Sequence, residues 1–117
     1  MDRHPTANKT ARFGERVPIQ CSLVLANGVQ VGEGRVFDLS MRGCLVEGPV
    51  RVKTGNRLQL RLRLPHSHPS ICVAVAVVRW VQGPRFGVEF VRVEDTYRAH
   101  LDRFITLQSD PWAEAHD

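Results

Sequence analysis

The sequence predicts an all-β domain with a C-terminal helix, its six strands rolled into a closed or nearly closed antiparallel barrel. Three observations carry this. Apolar and polar residues alternate with period two over residues 17–25 and 57–64, as in strands with one face in a core. Turn-forming pairs, Asn27-Gly28, Gly48-Pro49 and Gly83-Pro84, separate the strands. After Glu94 the period changes to that of a helix. Six strands and one helix in a chain of 117 residues fit one small domain, with the helix plugging an end or packing on a flank.

The elements follow in order. Residues 1–11 are polar and aperiodic and read as a flexible N-terminal tail. Val17, Ile19, Cys21, Leu23 and Leu25 then share one side of a first strand, against Pro18, Gln20, Ser22 and Val24. Asn27-Gly28 predicts a type I′ hairpin turn into a second strand from Val29 towards Leu39. The period slips at Gly32 and Gly34, which predicts a β-bulge there. A turn spans residues 38–43, and Cys44-Leu45-Val46 is a short third strand. Leu58, Leu60, Leu62 and Leu64 alternate with Arg57, Gln59, Arg61 and Arg63 in the fourth. Residues 65–69 form a loop, and the fifth strand, 71–81, is apolar on both faces and expected to be central. Phe86, Val88 and Phe90 mark the sixth. Tyr97, Leu101, Phe104, Ile105 and Gln108 fall on one face of a helix of about four turns. Residues 109–117 read as a C-terminal tail, so the folded unit is expected over 12–108.

Composition sets the class. Hydrophobic residues make up 43% and charged residues 24% of the chain, ordinary for a soluble globular protein. No apolar run approaches the length of a membrane span, and the start of the chain has no signal-peptide core. The expectation is a cytoplasmic protein without membrane insertion. The net charge is +4, and all but Lys9 and Lys53 of the 16 basic residues are Arg, which suits planar anions such as nucleotides. The three cysteines, Cys21, Cys44 and Cys72, stand in apolar strand contexts and read as core residues.

Two motifs carry the chemistry. Arg12-x-x-x-Arg16 places two guanidinium groups on one face, in a helical turn or an extended stretch. Each is a planar fork that fits guanine O6/N7 or a phosphate with two bonds. Asp38-x-Ser40-x-x-Gly43 begins 22 residues after Arg16. Ionised Asp38 accepts only, which suits the N1–H and N2–H donors of guanine; Ser40 donates and accepts. Gly43 permits a tight turn or a close approach. Each motif also has a plainer reading: the first as a solvated charged face, the second as a side-chain-bonded turn.

Together with Ala11 to Pro18, Val78-Arg79-Trp80-Val81 and Phe86-Gly87-Val88-Glu89-Phe90, these motifs resemble the PilZ domain family from about Arg12 to Gln108. The resemblance implies a six-stranded barrel that binds cyclic di-GMP. Arg12 and Arg16 would take guanine Hoogsteen edges and phosphates, and Asp38 and Ser40 would contact guanine or orient the arginines. Gly43 would admit the ligand to the barrel surface. Trp80 matches an aromatic that some members set beside the nucleotide; it also reads as an ordinary strand aromatic. Many members carry a further Arg where this chain has Ala11, which bears on whether one nucleotide or an intercalated dimer binds. Lys9 or Arg42 would be the substitute cations.

The expected role is a signalling adaptor for motility, exopolysaccharide or biofilm control. Its partners would be cyclic di-GMP and an unidentified protein effector, and it would be a monomer or weak dimer. A ligand-free adaptor, for instance in pilus assembly, is the alternative. A basic barrel binding single-stranded nucleic acid is a third reading, disfavoured by an aromatic set of only two Trp, one Tyr and five Phe. His66-x-His68 lacks a spaced third ligand, and His4, His100 and His116 stand alone. No nucleophile has a placed base and no Walker loop is present, so neither enzyme activity nor a metal or cofactor is expected.

Overall fold

The computed structural model describes residues 16–66 and 68–109. Arg12, the expected N-terminal tail and residues 110–117 lie outside the described residues, while Ser109, expected to begin the C-terminal tail, instead ends the helix. The chain forms β1 (Val17–Ala26), β2 (Val31–Leu39), β3 (Gly43–Glu47), β4 (Arg57–Arg63), β5 (Ile71–Gln82), β6 (Arg85–Arg92) and α1 (Asp95–Ser109). All neighbouring strands are antiparallel, and the sheet closes in the order β1-β2-β3-β6-β5-β4. Closure removes the free edges that an open sheet would expose to other chains.

The alternation read in the sequence is what fills the barrel. On β4, Leu58, Leu60 and Leu62 are buried, while Arg57, Gln59, Arg61 and Arg63 are exposed. Leu23, Leu25, Val36, Val46, Ile71 and Phe86 come in from the other strands. Burying each such side chain stabilises the fold by about 1.5–3 kcal/mol relative to its exposure. In α1, Leu101, Phe104 and Ile105 are fully buried at the three- and four-residue spacing of one helix face. Asp95 in the first turn complements the positive end of the helix dipole.

The helix packs against β5 and β1. Tyr97 bonds to Cys72 near the start of β5, and the Phe104 ring meets His68 edge-on in the preceding loop, 5.0 Å between centroids. Both contacts lie where β5 begins, so the helix covers that end of the barrel. Among the described residues, no helix is long and apolar enough to cross a membrane.

Three local expectations change. The Asn27-Gly28 hairpin closes through four residues, because Ala26 pairs with Val31. A type I′ turn needs positive φ at both central positions. Gly28 has it (φ 92°), but among the described non-glycine residues only His66 does. Instead the Asn27 carboxamide oxygen accepts the N–H groups of Val29 (2.9 Å) and Gln30 (2.7 Å), an Asx-type closure. This starts β2 at Val31 and leaves Val29 91% exposed.

The bulge expected at Gly32 and Gly34 is absent; both glycines pair regularly with β1. Gly32 is needed for a different reason, since a Cβ there would run into the Val50 side chain. The irregularities fall after Pro18 on β1 and after Val36 on β2, with further ones on β4, β5 and β6. Bulges bend and twist strands, which closing a six-stranded sheet demands. Finally, β5 is not buried on both faces. A closed barrel gives each strand one inward face, and Ala74, Trp80 and Val81 are exposed.

Candidate functional site

The Asp38-to-Gly43 motif falls at the end of β2, across a tight turn and at the first residue of β3. Ser40 is only 1% exposed, the sole buried polar or charged side chain among the described residues. A hydroxyl in that position must find partners, because an unsatisfied one costs about 1–3 kcal/mol. The Ser40 N–H donates to the Gly43 carbonyl at 2.9 Å. Its Oγ accepts the N–H groups of Arg42 (3.0 Å) and Gly43 (3.2 Å), and lies 3.4 Å from the Gly43 carbonyl oxygen. The hydroxyl is therefore spent on the turn.

Gly43 is held just as tightly. A Cβ there would run into the Val88 carbonyl oxygen of β6. The Phe90 N–H donates to the Arg42 carbonyl at 2.7 Å, tying the turn to the same strand. The motif thus builds a rigid corner on three strands, and its plainer sequence reading is correct in geometry for Ser40 and Gly43.

Asp38 behaves differently. It pairs with Pro18 across β1 and β2, and Leu39 beside it turns into the core. Its carboxylate therefore stands on the outer wall, 2.6 Å from Nη1 of Arg16, with side-chain exposures of 55% for Arg16 and 30% for Asp38. An exposed pair of this kind contributes about 0.2–1 kcal/mol to stability. Its larger effect is positional. The carboxylate fixes the guanidinium while most of the five donors of that group remain unused by this bond. Donors and an acceptor then stand side by side on an open surface.

The same wall continues across the sheet. Asp38 pairs with Leu45, Leu45 with Gly87, and Gly87 with Trp80. Directly paired residues share a face, so Asp38, Leu45, Gly87 and Trp80 form one row on the outside of β2, β3, β6 and β5. Strands lie about 4.8 Å apart, so this row is roughly 14 Å wide. Trp80 lies against Gly87, where a Cβ would run into its indole Nε1, and it is still 44% exposed. The indole is thereby placed on the row of Asp38. Flanking it, Arg79 Nε lies 2.7 Å from Glu89 Oε1.

Leu45 and Gly87 as the floor between Asp38 and Trp80 were not apparent in the sequence. Their alignment depends on the β5–β6 register, which shifts between Val78 and Trp80. Beneath the wall, burial pushes the Cys44 thiol far up, and burial raises Cys21 to about 11. The cysteines are free, with no disulfide. Among the described residues no group of His, Cys, Asp and Glu is placed to hold a metal ion.

The family model described as PilZ domain matches residues 10–107. No curated protein gives a significant sequence match. Several solved structures share the fold. The PilZ domain of CeSA from a cellulose-synthesizing bacterium is 19% identical, with a TM-score of 0.63 over 79% of this chain and 95% of its own. The PilZ domain of YcgR from Escherichia coli, solved with c-di-GMP, is 17% identical, with a TM-score of 0.66 over 88% and 95%. The Bacillus subtilis inhibitor of motility MotI/DgrA is 16% identical, with a TM-score of 0.73 over 96% of this chain and 54% of its own.

Proposed function

Because the chain belongs to the PilZ domain family, we propose that it is a receptor for cyclic di-GMP that passes the nucleotide signal to a protein effector. The observation that carries this reading is the row from the Arg16–Asp38 pair to Trp80 on one outer wall. A related PilZ domain, that of YcgR, was solved with the same nucleotide.

In this reading Arg16 and Arg12 donate to guanine O6/N7 and to the phosphates. Asp38 accepts from guanine N1–H and N2–H, or keeps Arg16 in position. Ser40 and Gly43 act as positioning residues that shape the corner. Trp80 offers an exposed face for a guanine to stack on. Binding orders the segment that carries Arg12, at about 1–2 kcal/mol per residue of backbone entropy. Several charge-assisted bonds of roughly 1.5–3 kcal/mol each offset that cost. The ordered segment then alters the surface shown to an effector, with motility, exopolysaccharide synthesis or biofilm formation as the output. No bond is made or broken.

Calorimetric titration with cyclic di-GMP tests this. Saturable binding in the wild type and a loss of affinity of at least about tenfold in Arg16→Ala are expected, since a charge-assisted contact contributes roughly 1.5–3 kcal/mol. The stoichiometry reports whether Ala11 leaves the site with one nucleotide or two. Absence of heat in a protein with an intact circular dichroism spectrum overturns the reading.

A further inference from the structure

On the far side of the barrel, β4 turns three arginines outward. In the ring of six strands β4 lies opposite β3, so its outer face points away from the Asp38–Trp80 row. Arg57, Arg61 and Arg63 are all exposed on it, with Gln59 between. Alternate residues of a strand repeat every ~6.7 Å. No ion pair within the described residues holds any of the three. The strands themselves supply no acid here: β1, β4 and β5 contain neither Asp nor Glu. The acids that approach are at the borders, Glu33 paired with Val24 on β2 and Glu94 near Tyr97, which also senses Arg61.

A second observation falls on the same wall. A shallow groove of about 320 Å³ runs between β1, β4 and β5, lined by Val24, Ala26, Gln59, Arg61, Cys72 and Ala74. Val24 and Cys72 are the direct neighbours of Arg61 in the sheet. A small-residue groove thus runs alongside a row of cations.

We infer that the outer wall of β1, β4 and β5 docks an extended acidic segment of a partner protein. A chain with acids at alternate positions repeats with the spacing of the arginines. Its intervening side chains point away from the wall, and the small Val24, Ala26 and Ala74 leave room for its backbone to lie close. The closed barrel offers no edge, so the partner is held by side chains and not by strand addition. Single-stranded nucleic acid is a poorer fit, because none of the groove-lining residues is aromatic and none can stack a base. A membrane surface is also poorer, because no Trp or Phe lines the groove and its two leucines, Leu25 and Leu60, are buried in the barrel core. The inference adds a partner surface and does not depend on occupancy of the nucleotide wall.

The test uses the full chain and a fluorescein-labelled peptide of alternating Glu and Val. A Lys-Val peptide, an oligothymidylate and anionic vesicles are run beside it. The Glu-Val peptide is expected to bind and to be weakened by about tenfold in the Arg57→Gln/Arg61→Gln/Arg63→Gln variant, three exposed pairs being lost. Ala74→Trp, which fills the groove and keeps the arginines, should weaken it as well. Cyclic di-GMP titration of both variants should match the wild type, showing that each is folded and that the two walls are separate. Equal peptide binding by wild type and triple variant overturns the inference. So does tighter binding of the oligonucleotide or the vesicles than of the acidic peptide.

Discussion

The two walls of the barrel use arginine differently. On the β2–β3–β6 wall and the Trp80 half of β5, Arg16 and Arg79 are each paired with an acid, at 2.6 and 2.7 Å. On the opposite wall Arg57, Arg61 and Arg63 face outward without such partners among the described residues. A paired guanidinium is a donor set at a fixed place and angle, suited to a small ligand with defined edges. A row of unpaired ones is a field with a repeat, suited to a longer and less shaped anion. In the proposed reading the same residue type serves shape recognition on one side and charge recognition on the other.

Substitutions can break this comparison. The largest expected effect is that of Arg16→Ala on nucleotide affinity, at least about tenfold, as a charge-assisted contact implies. Arg61→Gln should leave the same titration unchanged. If both weaken nucleotide binding equally, the walls do not divide the work. Next comes Gly43→Ala, which pushes a methyl group into the β6 backbone at Val88. A loss of about 1–3 kcal/mol in urea unfolding is expected, the usual range for overpacking. An unchanged midpoint would mean that β6 moves aside freely.

Trp80→Ala should then cost roughly 1–3 kcal/mol of nucleotide binding if a guanine stacks there. Its effect on unfolding should be much smaller, because the ring is 44% exposed. A loss confined to unfolding would return Trp80 to the role of an ordinary strand aromatic.

The thiols beneath the Asp38–Trp80 wall give a pH signature. The folded protein keeps Cys21 protonated to about pH 11, whereas an unperturbed thiol ionises near 9. Above pH 9 the unfolded chain holds fewer protons than the native one, so stability falls as pH rises. The Cys21 contribution is complete below pH 9 and is lost between 9 and about 11; Cys44, which is more deeply buried, extends the decline further. Denaturant midpoints between pH 8 and 11 should decrease, and Cys21→Ser/Cys44→Ala should flatten that slope. The smallest effect is that of Asp38→Asn on stability, under about 1 kcal/mol for an exposed pair, read as a near-constant melting temperature.

Much of this molecule was legible in advance where periodicity is strict. The leucines and arginines of β4 declare both faces of that strand, and Leu101, Phe104 and Ile105 declare the buried side of α1. The closed sheet follows from six strands and one helix in so small a chain. The bulges were not legible, because they answer to barrel closure and not to local sequence. Gly32 and Gly34 look like bulge residues but answer to close neighbours, Val50 in the segment after β3 and Glu47 on β3. Ser40 illustrates a subtler limit. Its motif points equally to a turn and to a ligand, and only burial assigns the hydroxyl to the turn. Trp80 and Asp38 are 42 positions apart, and their common row emerges only from three strand registers, two of them shifted. The outward arginines of β4 were evident, but their position opposite β3 required the strand order.

The most direct test of the two-wall account is to follow backbone amide shifts by nuclear magnetic resonance while cyclic di-GMP is added. The account predicts shifts at Arg16, Asp38, Leu45, Gly87 and Trp80, with Arg57, Gln59, Arg61 and Arg63 unmoved. Shifts centred on β4, with the Asp38–Trp80 row silent, would contradict it.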